Sequence, residues 1–230
     1  MHSTNVGRNK AGDRDCRMRH KICIAEEESG TIRDAFLARG YNAVSCDLKA
    51  SKSSFGVHHR CDIFDLIDEV WDLFICHPEC TYICNSGVRW LYTQPGRWAK
   101  MAKGAAFFVS HWGFKWRHFC AENPIPHKYA MKIINRPYSQ IIQPYQFGHG
   151  ETKATCLWLE NLPLLQPTNI VAGRYGRIHR LPPGPLRSEM RSTTYKGVAD
   201  AMAEQWGAFL DKESGFTSAN NGSTKAGIAI

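Results

Sequence analysis

Apolar and polar positions along the chain switch between two periods, and the switching predicts strands interleaved with helices. Lys21–Ala25 is a short apolar run suited to a buried strand. Ser29-Gly30 then opens a predicted helix whose apolar face is Ile32, Ala35 and Phe36, with Gly40 where a C-terminal cap belongs. Further strands are predicted at Asn42–Cys46, Val57–Cys61, Trp71–Cys76 and Arg117–Ala121, with later ones at Gln140–Gln143 and Thr155–Leu159. Trp98–Phe108 reads as a helix, and a last helix places Val198, Met202 and Trp206 at i, i+4 and i+8. This order predicts an α/β fold with a mostly parallel, doubly wound sheet and helices on both faces. Ligands of such sheets sit beyond the carboxyl ends of the strands. Ser29, Asp47, Asp62, Cys80 and Glu122 all fall there in the predicted elements.

The flanks differ in composition. Residues 1–20 are polar and basic (Arg8, Lys10, Arg14, Arg17, Arg19) without periodicity, which predicts a disordered arm able to touch phosphates. From residue 212 onward Ser, Gly, Asn, Thr and Ala dominate, as in a flexible tail. One domain is therefore expected over residues 21–211. Apolar residues make up 43% of the chain, enough for a core. No apolar run is long enough to span a bilayer, and none follows the basic N-terminus, so the cytoplasm is the expected compartment and no membrane partner is expected. Nine cysteines at irregular spacing read as reduced thiols rather than a disulfide framework. A net charge of +8 suits an anionic partner, nucleic acid first, and equally a solvated basic surface with no partner; no stable protein partner is expected.

Several residues carry candidate chemistry. Asp47, at a strand end, is placed to accept hydrogen bonds from ribose hydroxyls. Glu26-Glu27-Glu28-Ser29-Gly30 lacks the glycine pattern of a dinucleotide loop, and its carboxylates suit a cofactor with cationic groups. The helix start at Thr31 could receive that cofactor's carboxylate. Cys80, in His77-Pro78-Glu79-Cys80-Thr81-Tyr82 after a buried strand, is a candidate thiolate nucleophile. Cys76, Cys80 and Cys84 share a four-residue spacing but lack a zinc knuckle, and no metal is expected. Glu122, in Ala121-Glu122-Asn123-Pro124, is suited to the edge of a base, as a donor if protonated. Arg174, Arg177, Arg180, Arg187 and Arg191 form a basic segment suited to phosphates.

The order of these motifs (a Gly turn, Asp, Asp, Pro-x-Cys, Glu-Asn) resembles that of the cytosine-C5 DNA methyltransferases. More narrowly the chain is similar to small phage and prophage members. The stretches that carry the likeness are Ser29-Gly30-Thr31 with Arg33-Asp34-Ala35-Phe36, Cys80-Thr81-Tyr82 with Asn85-Ser86-Gly87, Glu122–His127, and Phe147-Gly148-His149 with Glu151–Thr155. The resemblance implies a Rossmann-like S-adenosylmethionine-dependent methyltransferase fold, in the host cytoplasm if the chain is phage-encoded. Cys80 would add to C6 of a flipped-out cytosine in DNA, Glu122 would bond the ring nitrogen and exocyclic amine, and Lys153 would stand at a base-holding arginine position. The cofactor S-adenosyl-L-methionine would lie against Glu28, Ser29, Gly30, Thr31, Asp47, Leu48, Asp62, Ile63, His77 and Pro78. The sequence departs from the family at Glu79, where the residue before the nucleophile is usually Pro, and at Thr155, in place of a second Arg. About forty residues separate Lys153 from the segment around Arg191–Gly197, where full-length members carry a target-recognition region. Methylation of a free pyrimidine nucleotide, and a non-catalytic protein that keeps the fold, are the alternatives.

Overall fold

The computed structural model describes residues 19–184 and 187–215. Seven strands form one sheet: β1 (Arg19–Ala25), β2 (Tyr41–Cys46), β3 (Val57–His59), β4 (Leu73–Cys76), β5 (Phe119–Pro124), β6 (Gln140–Ile142) and β7 (Thr155–Glu160), in the order β3-β2-β1-β4-β5-β7-β6. The first five pair in parallel, and β7 runs antiparallel to both β5 and β6. The sheet is therefore mixed: four of its six pairings are parallel, as expected, and the two made by β7 are antiparallel. The link from β6 to β7 holds only a 3-10 turn at Pro144–Gln146, and without a crossover helix the chain returns antiparallel.

Helices α1 (Thr31–Leu37) and α6 (Lys196–Glu213) cover one face of the sheet. Helices α3 (Arg97–Ser110) and α4 (Lys128–Ile134) cover the other. Two shorter helices, α2 (Trp90–Thr93) and α5 (Arg187–Ser192), lie in loops. The central strand explains the sandwich. Ile22 and Ile24 pack with Phe36, Met202 and Trp206, while Cys23 and Ala25 pack with Met101, Phe108 and Ala130. All four strand residues are fully buried, as a strand covered on both faces requires. Burying a side chain such as Phe36 or Ile24 contributes about 1.5–3 kcal/mol.

Several element boundaries move. The predicted third strand stops at His59, so Cys61 lies outside it, and Trp71 precedes β4, donating its indole N–H to the Leu66 carbonyl. The fifth strand runs on through Glu122, Asn123 and Pro124, because β7 supplies an antiparallel ladder along them. The last helix continues to Glu213, past the predicted start of the tail. Of the predicted basic arm, Arg19 and His20 belong to β1; residues 1–18 and 216–230 lie outside the described residues.

Candidate active site at the ends of β4 and β5

The order reverses between β1 and β4, and beyond their carboxyl ends lies the crevice where such sheets hold ligands. Two loops are strapped together beside it. Asn85 N–H donates to the Ile125 carbonyl at 2.9 Å, His127 N–H donates to the Ile83 carbonyl at 2.9 Å, and Cys84 bridges Pro126. His127 caps α4 by accepting from Ala130 N–H, and its other ring nitrogen lies 3.2 Å from the Tyr82 carbonyl. The buried Asn123 amide donates to the Pro78 carbonyl at 3.2 Å, leaving its Oδ1 without a protein partner. The motifs around Cys80 and Glu122 are thus one structural unit.

Three candidate residues converge here. Cys80 is partly buried, and its thiol is hydrogen-bonded to that of Cys84. That hydrogen bond, burial, and the negative charges of Cys84 and Glu122 raise its pKa, against the opposing pull of Lys153. The carboxylate that acts on the thiol is thus Glu122; Glu79, next to Cys80 in the sequence, is exposed. Cys84 shifts the other way, because Cys80, Ser86 and Arg191 stabilise its thiolate. Ser86 Oγ lies 3.1 Å from the Cys84 sulfur and accepts from Arg191 at 3.3 Å. Lys153 is buried, donates to the Thr193 carbonyl at 3.3 Å, and has its pKa lowered by burial despite the attraction of Glu122 and Cys80.

His77 joins this group rather than a cofactor edge. Its Nδ1 lies 2.7 Å from Glu122 Oε2, with both side chains 13% exposed. Burial works to lower the His77 pKa, but the hydrogen bond it donates to Glu122 and the charges of Glu122, Glu27 and Glu26 raise it overall. Burial works to raise the Glu122 pKa, and His77 with Lys153 lowers it overall. Both shifts favour the ion-paired form, an imidazolium beside a carboxylate. Glu122 accepts here, so its expected role as a proton donor requires a proton from His77. The His77 Nε2 is buried with no protein partner.

No protein-family model matches this sequence, and no curated protein matches it. The residues themselves carry the functional argument.

The β1 side of the crevice is built differently from its expected role. Glu27, not an incoming carboxylate, occupies the start of α1, accepting from Ile32 N–H at 2.7 Å and from Arg33 N–H at 3.4 Å. Ser29 Oγ donates to Glu27 and accepts from Thr31 N–H. Gly30 is the αL cap (φ 74°), and a Cβ there would meet the Arg33 guanidinium at 2.6 Å. Its glycine therefore serves the buried Arg33, which binds Asp34, Ser45 and Ser51. Glu28 is paired with Lys49 and Lys52, which outweigh the effect of burial and lower its pKa. Asp62 caps its own 3-10 turn in a reciprocal box with Asp65, and Ile63 and Pro78 are buried. Asp47 is half-buried with one carboxylate oxygen on Lys49 N–H, Leu48 is exposed, and Glu26 is partly buried beside His111.

The five arginines do not form one stripe. The Arg177 Nε–H is shared between the two Glu151 carboxylate oxygens at 3.0 and 3.1 Å, and Tyr195 donates to the same carboxylate at 2.7 Å. Arg174 stacks on Tyr145 at 3.4 Å, and Arg180 lies over Tyr175. Arg187 is partly buried, and Arg191 faces the thiol pair. Cys76 is buried inside β4 and does not join Cys80 and Cys84. Among the described residues, Glu26, Cys76 and His111 have ligand atoms within 4.8 Å of one another. His111 and Glu26 already pair at 3.2 Å, and His111 Nδ1 faces the Phe107 carbonyl at 2.9 Å, so neither needs a cation.

Proposed function

We propose that this protein transfers a methyl group to C5 of cytosine in DNA, on a Rossmann-like methyltransferase fold. The observation that supports the reading is the convergence of Cys80, Glu122 and Lys153 from the ends of β4, β5 and the approach to β7, beside the topological switch point. S-adenosyl-L-methionine fits the other side in part. Asp47 suits its ribose hydroxyls and Leu48 offers an apolar flank, while Glu26 is held by His111 and the α1 amides by Glu27. When bound, it supplies an electrophilic methyl group.

The chain's own residues account for the remaining chemistry. At rest the charge sits on Cys84 and the proton on Cys80; as the Cys80 sulfur adds to C6 of the ring, its proton passes to the Cys84 thiolate beside it. Electron density then moves toward N3, and Glu122 meets it there. The proton that neutralises N3 comes from His77 through Glu122, so the adduct forms without a buried excess charge. Lys153 offsets the negative charge of Glu122 and the thiols. After methyl transfer, a water takes the C5 proton, N3 returns its proton through Glu122 to His77, and the Cys80 sulfur is expelled and regains its proton from Cys84, which restores the aromatic ring.

The test is transfer of labelled methyl to duplex DNA, single-stranded DNA and dCMP in parallel, with Cys80→Ser as control. Label on cytosine C5 of a polymer that vanishes in the variant is expected. Label on dCMP alone selects the nucleotide reading. One observation favours the non-catalytic alternative, the raised pKa of Cys80; cofactor binding without transfer to any acceptor would select it.

A further inference from the structure

Charge is not spread evenly along the chain. Between Cys80 and Gly150 there are nine Lys or Arg and one acidic residue, the buried Glu122, a surplus equal to that of the whole chain. Much of this charge lies on α2, the start of α3 and α4, next to the Cys80 loop. An aromatic cluster sits among it. Trp98 and Tyr129 lie 5.0 Å apart at 72°, Tyr92 and Trp98 lie 5.8 Å apart at 90°, and the Tyr92 and Tyr129 hydroxyls hydrogen-bond each other. Edge-to-face packing leaves ring faces open, and Tyr92 is 65% and Trp98 42% exposed. Water-exposed aromatic rings at this density are costly unless something covers them.

The cations beside the rings lack acidic partners. Arg89, Lys100, Lys128 and Lys132 are exposed, and none is in an ion pair among the described residues. Lys128 lies 5.1 Å from the Tyr129 ring centre, Arg89 lies 4.3 Å from that of Trp90, and Lys100 lies 5.9 Å from that of Tyr82. Arg97 connects the patch to the site, donating to the Thr81 carbonyl at 2.7 Å. Phosphates would meet positive charge, and bases would meet flat apolar faces, along a path ending at Cys80. Paired and stacked bases cannot use such faces, whereas those of a single strand can.

We propose that the surface formed by Tyr92, Trp98 and Tyr129 with Arg89, Lys100 and Lys128 binds single-stranded DNA and leads it to Cys80. The direction toward Cys80 rests on the proposed function; the binding surface does not. The test is fluorescence anisotropy with a labelled oligothymidine of about a dozen nucleotides, and with a duplex of equal length, over a range of salt. It is run without cofactor and on the Cys80→Ser background, so that a failure of methyl transfer leaves the result readable. Tighter binding of the single strand than of the duplex is expected. Tyr92→Ala with Trp98→Ala should weaken single-strand binding about tenfold or more at an unchanged salt slope. Lys100→Ala with Lys128→Ala should instead lower that slope by about 1.4. Trp98→Phe, which keeps a ring, should retain most of the binding. Equal or tighter duplex binding overturns the proposal, as does unchanged single-strand binding in the Tyr92/Trp98 variant with its melting temperature preserved.

Discussion

The two sides of the crevice are built on opposite principles. On the β1–β2 side polar groups satisfy one another: Glu27 holds the α1 amides, Arg33 is bound by Asp34 and Ser45, and Glu28 by two lysines. On the β4–β5 side buried groups are left with capacity to spare: His77 Nε2 and Asn123 Oδ1 have no protein partner, and Cys80 and Cys84 share a hydrogen bond that displaces both pKa values. Unspent polar groups are expensive to bury, and they persist where a substrate completes them. Polar groups are thus internally satisfied on one side and left with unfilled capacity on the other.

Breaking the satisfied side should have the largest effect on stability. Arg33→Leu leaves Asp34 and Ser45 without their buried partner, and a loss of about 3–5 kcal/mol is expected in denaturant unfolding. A loss below 1 kcal/mol would remove the distinction between the two sides.

Glu122→Gln sharpens the other side through pH. The His77 pKa is raised, so its contribution to stability is complete below its unfolded value of about 6.5 and disappears as pH rises through the folded value. The Glu122 pKa is lowered, so its contribution is complete above about 4.3 and disappears as pH falls through the folded value. The pair therefore stabilises the fold most between about pH 4.3 and 6.5. Melting temperature against pH should show both limbs in the wild type and neither in Glu122→Gln; identical profiles would mean the pair does not titrate.

Smaller effects are expected in the wall behind Lys153. A Cβ at Gly197 would lie 1.9 Å from the Phe147 carbonyl oxygen, so Gly197→Ala should cost roughly 1–3 kcal/mol and loosen the start of α6. Arg177→Ala should be smallest, at most about 1 kcal/mol by chemical denaturation, because its pair with Glu151 is half exposed.

The strong periodic segments were legible from sequence because burial on both faces forces continuous apolar runs, as in Ile22–Ala25 and Leu73–Cys76. The antiparallel β7 was not, since an apolar run carries no direction. Cys80 and Glu122 could be named because each follows a predicted strand; Lys153 could be named only through the family resemblance. Their neighbours were hidden for a common reason: His77 meets Glu122, and Glu27 lies near His77, only after the sheet brings distant stretches together. The Cys80–Cys84 spacing was visible but read as a poor zinc motif, whereas one turn of chain makes it a thiol pair. The compensating Glu151 that ties down Arg177 lies 26 residues away, beyond the reach of local charge counting.

The most direct test of the central claim is covalent trapping. A single-stranded oligonucleotide carrying 5-fluorocytosine is incubated with the protein and S-adenosylmethionine, and the products are digested and mapped by mass spectrometry. Fluorine at C5 cannot leave as a proton, so the adduct should persist, carrying the transferred methyl group on a peptide modified at Cys80. An adduct on Cys84 instead, or none while cofactor remains bound, would contradict the account.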